Sequence, residues 1–473
     1  MKDKLFIILL SAFCFQLFAQ HDIKIDLEGY QNDTLIVGYY LGDKQLVHDT
    51  LFSQSEGKFR LQGDSTLTHG FYILLTIPDN RFIQFIVDED QKFEIKSIKD
   101  DLSVLKFKGS EDNELFMEYI DFLSEKRPIA DTLRAQISKL VEGDPERTKL
   151  QKELDLVDKQ VKLKKESIIK EHPKSLTAMI LKSSENIDIP DFEGTEDEVK
   201  TKTYLYYKKH YFDHIDLSDP TTLRTPFIDQ RVKYYMKNLT PNQPDSIIRS
   251  MEYILDQVKP AEETFRFYLS TFLNEYIQSK IVGMDKVYVY LAENYYAKGM
   301  APWLDEETTN KIVANAMDIK PVLIGETGAN ITVYREDGTP ISIDNIDYEY
   351  LVLLFWAPDC GHCKKVMPSI IEFYNNYKDK GVKLLAICSK LGDKADTCWP
   401  AIEEKGMSGF INAADKYNKS KSKVKYNVKT TPKIFILDKN REILIKNIGG
   451  DQLAEVMEEM FKRAERKKMT NEH

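Results

Sequence analysis

At 473 residues the chain is too long for one hydrophobic core, so two or three domains are expected. With 42% hydrophobic and 30% charged residues it has the composition of a soluble globular protein. A net charge of -10 argues against a nucleic-acid partner, which needs clustered positive charge, and the short basic run of Lys462, Arg463, Arg466, Lys467 and Lys468 reads as a solvated helix end.

The first residues read as a secretory leader. Lys2 and Lys4 precede an almost unbroken apolar run from Leu5 to Phe18, and Ala19 is a small residue suited to cleavage before Gln20. The run is shorter than the ~20 residues of an ordinary membrane span. Cys14 follows Phe13, where lipid attachment wants a small residue, so cleavage of residues 1–19 is expected rather than anchoring. The mature chain is therefore expected in an extracytoplasmic space. Cleavage removes Cys14 and leaves Cys360, Cys363, Cys388 and Cys398, all in the last quarter.

From residue 22 to about 110 the pattern is strand-like. Apolar residues alternate in Ile23–Leu27, and runs at Leu35–Tyr40, Gly70–Ile77, Phe82–Val87 and Phe93–Ile95 are separated by Asp, Asn, Gly and Pro. A small all-β sandwich or barrel is expected, without a catalytic constellation. From about 111 to 319 the period becomes helical. Leu150, Leu154, Val157 and Val161 share one face, and Pro173 ends that helix. Further helices are expected over 199–211, 245–258 and 261–281, and after Asp305. The tyrosines Tyr204, Tyr206, Tyr207, Tyr211, Tyr234 and Tyr235 read as partly buried core, with a ligand cleft as the less favoured reading. His210 and His214 have a spacing that can bind zinc, but no convincing third ligand accompanies them, and no metal is expected.

Residues 320–473 change character again. Ile331–Ile343 reads as a hairpin turning at Glu336-Asp337-Gly338, and Tyr350–Phe355 as a buried central strand. A helix from Cys360, strands at Val382–Ile387, Lys433–Leu437 and Glu442–Ile445, and a closing helix from Asp451 complete an α/β domain around a mixed sheet. The chain is thus multidomain, with a small all-β module, a mainly helical middle and a C-terminal α/β fold.

Within that last domain Cys360-Gly361-His362-Cys363 follows a strand and opens a helix. Two intervening residues bring the sulfurs onto one face, close enough to bond. The helix N-terminus favours the thiolate of Cys360, making it the expected nucleophile and Cys363 the resolving thiol. His362, when protonated, stabilises that thiolate and so the reduced form, making the couple a stronger oxidant. A structural disulfide or half of a zinc site is the bland alternative, but Cys388 and Cys398 are too far apart to supply a second ligand pair.

The Phe355-Trp356-Ala357-Pro358 run, Cys360-Gly361-His362-Cys363 and Thr431-Pro432 before a strand together resemble the thioredoxin superfamily, most nearly its bacterial envelope reductases of the TlpA and ResA type. The resemblance covers roughly the last 150 residues. It implies a thioredoxin fold, a cis Pro432 against the disulfide, and a peptide-like groove formed by Trp356, the loop around Pro358, and Thr431-Pro432, with Gly361 and His362 beside it. It implies no cofactor, substrates that are disulfide-containing envelope proteins, and a separate protein as electron donor or acceptor. Two positions depart from the family pattern: Leu354 stands where thioredoxin has a buried acid, and Val366 where the envelope reductases often carry Glu. The proton acceptor for Cys363 is therefore sought among Glu403, Glu404, Asp415 and water. A peroxidase is disfavoured because Ala357 stands where a hydroxyl residue belongs. Gly109–Asn113 and the stretch 210–227 more weakly resemble extensions that precede such domains, which implies no activity. A scaffold with an accessory redox domain is the alternative function. Cys388 and Cys398 read as buried free thiols, with a second disulfide as the other reading.

Overall fold

A computed structural model describes residues 19–471, with side chains to residue 466. The expected leader, Cys14 included, lies outside the described residues apart from Ala19. Two compact units are resolved, one of residues up to 240 plus 253–265, the other of 241–252 plus 266 onward.

The first unit begins with eight strands: β1 (His21–Glu28), β2 (Thr34–Leu41), β3 (Lys44–Phe52), β4 (Lys58–Gly63), β5 (Gly70–Thr76), β6 (Phe82–Val87), β7 (Lys92–Ile98) and β8 (Leu105–Lys108). They form two four-stranded sheets, ordered β4-β1-β7-β8 and β3-β2-β5-β6. The alternation of β1 turns Ile23, Ile25 and Leu27 inward, where they share one core with Leu35, Val37, Phe59, Leu74, Phe85 and Ile95 from both sheets. The module is a sandwich, and the five strand runs expected from the sequence are five of its eight strands.

Helices α1 (Glu111–Ile137), α2 (Pro145–Glu171), α3 (Leu176–Ser183), α4 (Glu196–Lys209) and α5 (Pro226–Asn238) follow. The Gly109–Asn113 stretch is the joint between sandwich and helices. Ser110 caps α1, and the buried Asn113 amide accepts from Ile86 N–H at 2.7 Å and donates to Ile86 C=O at 2.6 Å. Ile86 lies on the edge strand β6, so the amide supplies what a further strand would have supplied. The Asp112 carboxylate accepts from the N–H groups of Leu176 and Thr177 and so caps α3. Tyr211 and Tyr235 are buried and pack on each other, Phe212 and Tyr253. His210 sits just past the end of α4, so it and His214 do not share a helical face. His210 binds Asp213 and His214 faces Glu185 instead. No metal-holding group of three His, Cys, Asp or Glu occurs among the described residues.

Helices α6 (Pro244–Val258) and α7 (Glu262–Ile277) contribute residues to both units. The second unit continues with α8 (Asp285–Leu291) and α9 (Glu306–Ile319), the latter capped by Asp305, which accepts from Thr308 N–H at 2.6 Å. The hairpin β9 (Thr332–Tyr334) and β10 (Pro340–Ser342) turns through Gly338 at φ +82°, a left-handed conformation that suits glycine. The core elements are β11 (Tyr350–Trp356), α10 (Gly361–Tyr377), β12 (Val382–Cys388), α11 (Cys398–Glu404), β13 (Ile411–Ala414), α12 (Ser422–Lys425), β14 (Lys433–Asp438), β15 (Ile443–Lys446) and α13 (Leu453–Asn471). They build a seven-stranded mixed sheet ordered β10-β9-β13-β12-β11-β14-β15, in which β11, β12 and β13 run parallel and β14 and β15 antiparallel to their neighbours. Central β11 is buried on both faces: Val352, Leu354 and Trp356 pack under α10, while Leu351, Leu353 and Phe355 pack on the other side. No helix among the described residues is long and apolar enough to cross a membrane.

Candidate active site

The carboxyl end of β11 delivers Trp356, a short turn brings Cys360 to the N-cap of α10, and Cys363 falls one turn into the helix. Cys360 is half-buried and Cys363 wholly buried, and both are free thiols. The Cys360 Sγ accepts the Cys363 N–H at 3.1 Å and, as a thiol, donates to the Thr431 carbonyl at 3.3 Å. The Thr431–Pro432 peptide is cis and leads into β14, which pairs with β11. Two segments, 71 residues apart at the contact, therefore meet at one sulfur.

The two thiols are driven apart electrostatically. Burial alone raises Cys360, but hydrogen bonds from the Cys363 and Thr431 side chains and from the N–H groups of Cys363 and His362 bring it below the usual thiol value. Burial, reinforced by the hydrogen bond with Cys360, pushes Cys363 up to about 12. A dithiol with one favoured thiolate and one retained proton is equipped for nucleophilic attack followed by internal resolution.

The cleft beside Cys360 has a volume of about 360 Å³ and includes Ala357, Asp359, Ser389 and Thr431 in its walls. Pro358 and Pro432 are half-buried and adjoin the lining residues Asp359 and Thr431 in sequence, and Gly361 and His362 are exposed on the first turn of α10. Trp356 departs from expectation. It is fully buried in the core with Met367 and Ile434, so it supports the site from beneath and does not line a groove. Its side chain lies on the sheet face covered by α10, with Val352 and Leu354, which leaves it no route to the surface. Its indole N–H has no hydrogen-bond partner among the described residues.

The three carboxylates sought as proton acceptors for Cys363 are otherwise engaged or exposed. Asp415 is buried and accepts from Ser420 and Ser422, while Glu403 and Glu404 lie on the exposed face of α11. Val366 packs against Gly450. Cys388 and Cys398 are not free thiols but a disulfide, with Cα atoms 6.3 Å apart. The ten-residue separation hides this, because the chain leaves β12 and returns at the start of α11 directly beside it. The cleft's lysines, described below, also escaped the sequence reading, since they come from segments far apart in the chain.

Three family models match the chain: Thioredoxin-like over residues 347–443, and domains of unknown function, DUF5106 and DUF4369, over 159–320 and 21–116. Among curated proteins, "Thiol-disulfide oxidoreductase ResA" of Bacillus thuringiensis subsp. konkukian is 30% identical over 140 residues, covering 30% of this chain and 78% of that protein. The protein of the same name from Bacillus anthracis is 30% identical over 146 residues, covering 31% of this chain and 81% of its own length. Among solved structures, a thioredoxin-like protein from Bacteroides caccae aligns with 57% of this chain and 98% of its own, at 20% identity and a TM-score of 0.44. The thioredoxin-like match over residues 347–443 takes in the Cys360–Cys363 helix and strands β11 to β14, and at 30% identity over more than three quarters of a ResA relative the chain belongs to the thioredoxin-superfamily thiol–disulfide oxidoreductases.

Proposed function

We propose that this oxidoreductase works outside the cytoplasm, reducing or isomerising disulfides of envelope proteins through Cys360 and Cys363. The observation that carries the reading is the opposed pair of thiols at the start of α10, one accessible with its thiolate favoured, the other buried and protonated. The Cys360 thiolate attacks one sulfur of the substrate disulfide. That bond breaks, and the second substrate sulfur leaves as a thiolate and takes a proton. Cys363 then gives up its proton and attacks Cys360 Sγ, breaking the mixed disulfide and releasing the first substrate sulfur. Two electrons pass to the substrate, and the protein is left with a Cys360–Cys363 disulfide that a separate dithiol protein must reduce. Gly361, His362, Pro358 and Thr431-Pro432 border the reacting sulfur, and the substrate chain pairs with the backbone at Thr431.

The leader proposed over 1–19 delivers residues 22–110, 111–319 and 320–473 as sandwich, helical region and redox domain. The first two recruit or orient the substrate or the electron donor. The test is the reduction potential of the Cys360–Cys363 couple in residues 20–473, equilibrated with glutathione, with Cys360→Ser as control. A value near about -270 mV indicates a reductase fed by a strong donor, and one near about -180 mV an isomerase or oxidant in which His362 dominates. The absence of any reversible couple overturns the reading and leaves an envelope scaffold.

A further inference from the structure

The charged side chains lining the Cys360 cleft are Asp359, Lys390, Lys394, Lys423 and Lys429. Four cations and one anion surround the reactive sulfur of a chain whose net charge is -10. Two of the lysines are engaged: Lys390 holds Asp359 at 2.6 Å, and Lys429 reaches Asn315 at 2.8 Å and Asp318 at 3.8 Å. Lys394 and Lys423 have no carboxylate within ion-pairing distance among the described residues. Asp396, two residues from Lys394, is not among the cleft-lining residues and is held by both oxygens on Lys416 at 2.7 and 2.8 Å. The backbone that carries three of these lysines is held by the fold. Lys390 and Lys394 ride on the loop closed by the Cys388–Cys398 disulfide, and Lys423 sits on α12 before the chain reaches Thr431. Leu391, 41% exposed, adds an apolar contact on the same wall.

Resting on the oxidoreductase reading above, we propose that this cleft selects disulfides carried on acidic protein segments. An extended chain presenting its cystine to Cys360 places the residues flanking that cystine against Lys394 and Lys423, where Asp or Glu is attracted and Lys or Arg repelled. The selection acts on encounter and on docking, both of which follow charge complementarity.

The test compares two peptides with the same cystine ring, one flanked by Glu and the other by Lys, mixed with the reduced full-length protein. The rate constant for loss of the peptide disulfide is read for each, alongside the neutral hydroxyethyl disulfide. The Glu peptide is expected to react at least about 10-fold faster at low ionic strength. The ratio falls toward one near 1 M salt, where charges are screened within about 3 Å. In the double variant Lys394→Glu, Lys423→Glu the ratio inverts, and being a ratio within one preparation it does not depend on the fraction of active protein. Equal rates, or a preference for the Lys peptide, overturn the proposal while leaving the oxidoreductase reading intact. No reaction with either peptide or with hydroxyethyl disulfide overturns that underlying reading instead.

Discussion

Cys388 stands directly opposite Trp356 in the parallel ladder of β11 and β12, so the Cys388–Cys398 disulfide is anchored one strand away from the residue that leads into the redox loop. Both of its cysteines are buried in the core that also holds Cys363. The bond closes residues 389–397 into a ring whose outer side is a wall of the cleft.

Replacing both cysteines, Cys388→Ala with Cys398→Ala, removes that constraint from the unfolded chain. For a loop of this length the chain-entropy cost is about 2.7 kcal/mol. Urea denaturation should show a loss of about that size. A substrate rate that falls along with stability marks the ring as holding the cleft wall in place, whereas unchanged stability contradicts the pairing.

The opposed thiols predict a two-step pH response. Alkylation of Cys360 by iodoacetamide should rise with a midpoint below the ordinary thiol value of about 8.5, while Cys363 stays inert until near pH 12. The sign for stability follows. A Cys363 that keeps its proton in the folded state, while the unfolded thiol loses it, makes reduced protein less stable as pH climbs from about 8.5 toward 12. Thermal melts of reduced protein should decline over that range, and Cys363→Ala should flatten the decline.

Asn113 predicts a purely structural defect. Asn113→Ala strips both hydrogen bonds from the Ile86 backbone on a buried edge, each group costing about 1–3 kcal/mol when left unpaired. A destabilisation of about 3 kcal/mol is expected by denaturant titration, with the iodoacetamide rate of Cys360 unchanged. A slowed thiol would contradict the separation.

A fourth prediction concerns Lys446, which is 2% exposed on β15 and forms an ion pair with Asp285 at the start of α8. Burial lowers the pKa of this lysine despite the attraction of Asp285. Lys446→Met leaves the carboxylate without its cation and should cost about 3 kcal/mol, near the low end for broken buried pairs because Asp285 keeps some solvent contact. Lys446→Met combined with Asp285→Leu should recover most of that loss in the same melt. A double variant no better than the single one would show that the pair is not what the position requires.

The redox site was legible because its chemistry is contiguous: Trp356 to Cys363 is one stretch, and the strand before it is apolar throughout. Strands β1, β2, β5, β6 and β7 were legible for a similar reason, since burial imprints itself on their sequence. Strand β3 was not, because on this sheet edge only Leu51 is buried and Val47 and Phe52 stay exposed, so no period appears. Strand β13 is only Ile411–Ala414, and α1 runs straight through Pro128, which a sequence reading treats as a break. The Cys388–Cys398 bond and the lysine-lined cleft were hidden for another reason. Both depend on which chain ends the parallel sheet gathers at one edge, and that is a property of strand order rather than of local composition.

Cys360 is the nucleophile of the proposed reaction and also the N-cap of α10, its sulfur accepting the Cys363 N–H. A thiolate is the best acceptor that position can have, because it meets both an unsatisfied donor and the positive end of the helix. Each turnover of the proposed reaction spends that negative charge in making a covalent bond, so the first turn of α10 is expected to loosen as the sulfur is consumed and to tighten as it is released. The amide proton of Cys363 should therefore report the cycle, exchanging slowly beside the Cys360 thiolate and faster in the mixed disulfide.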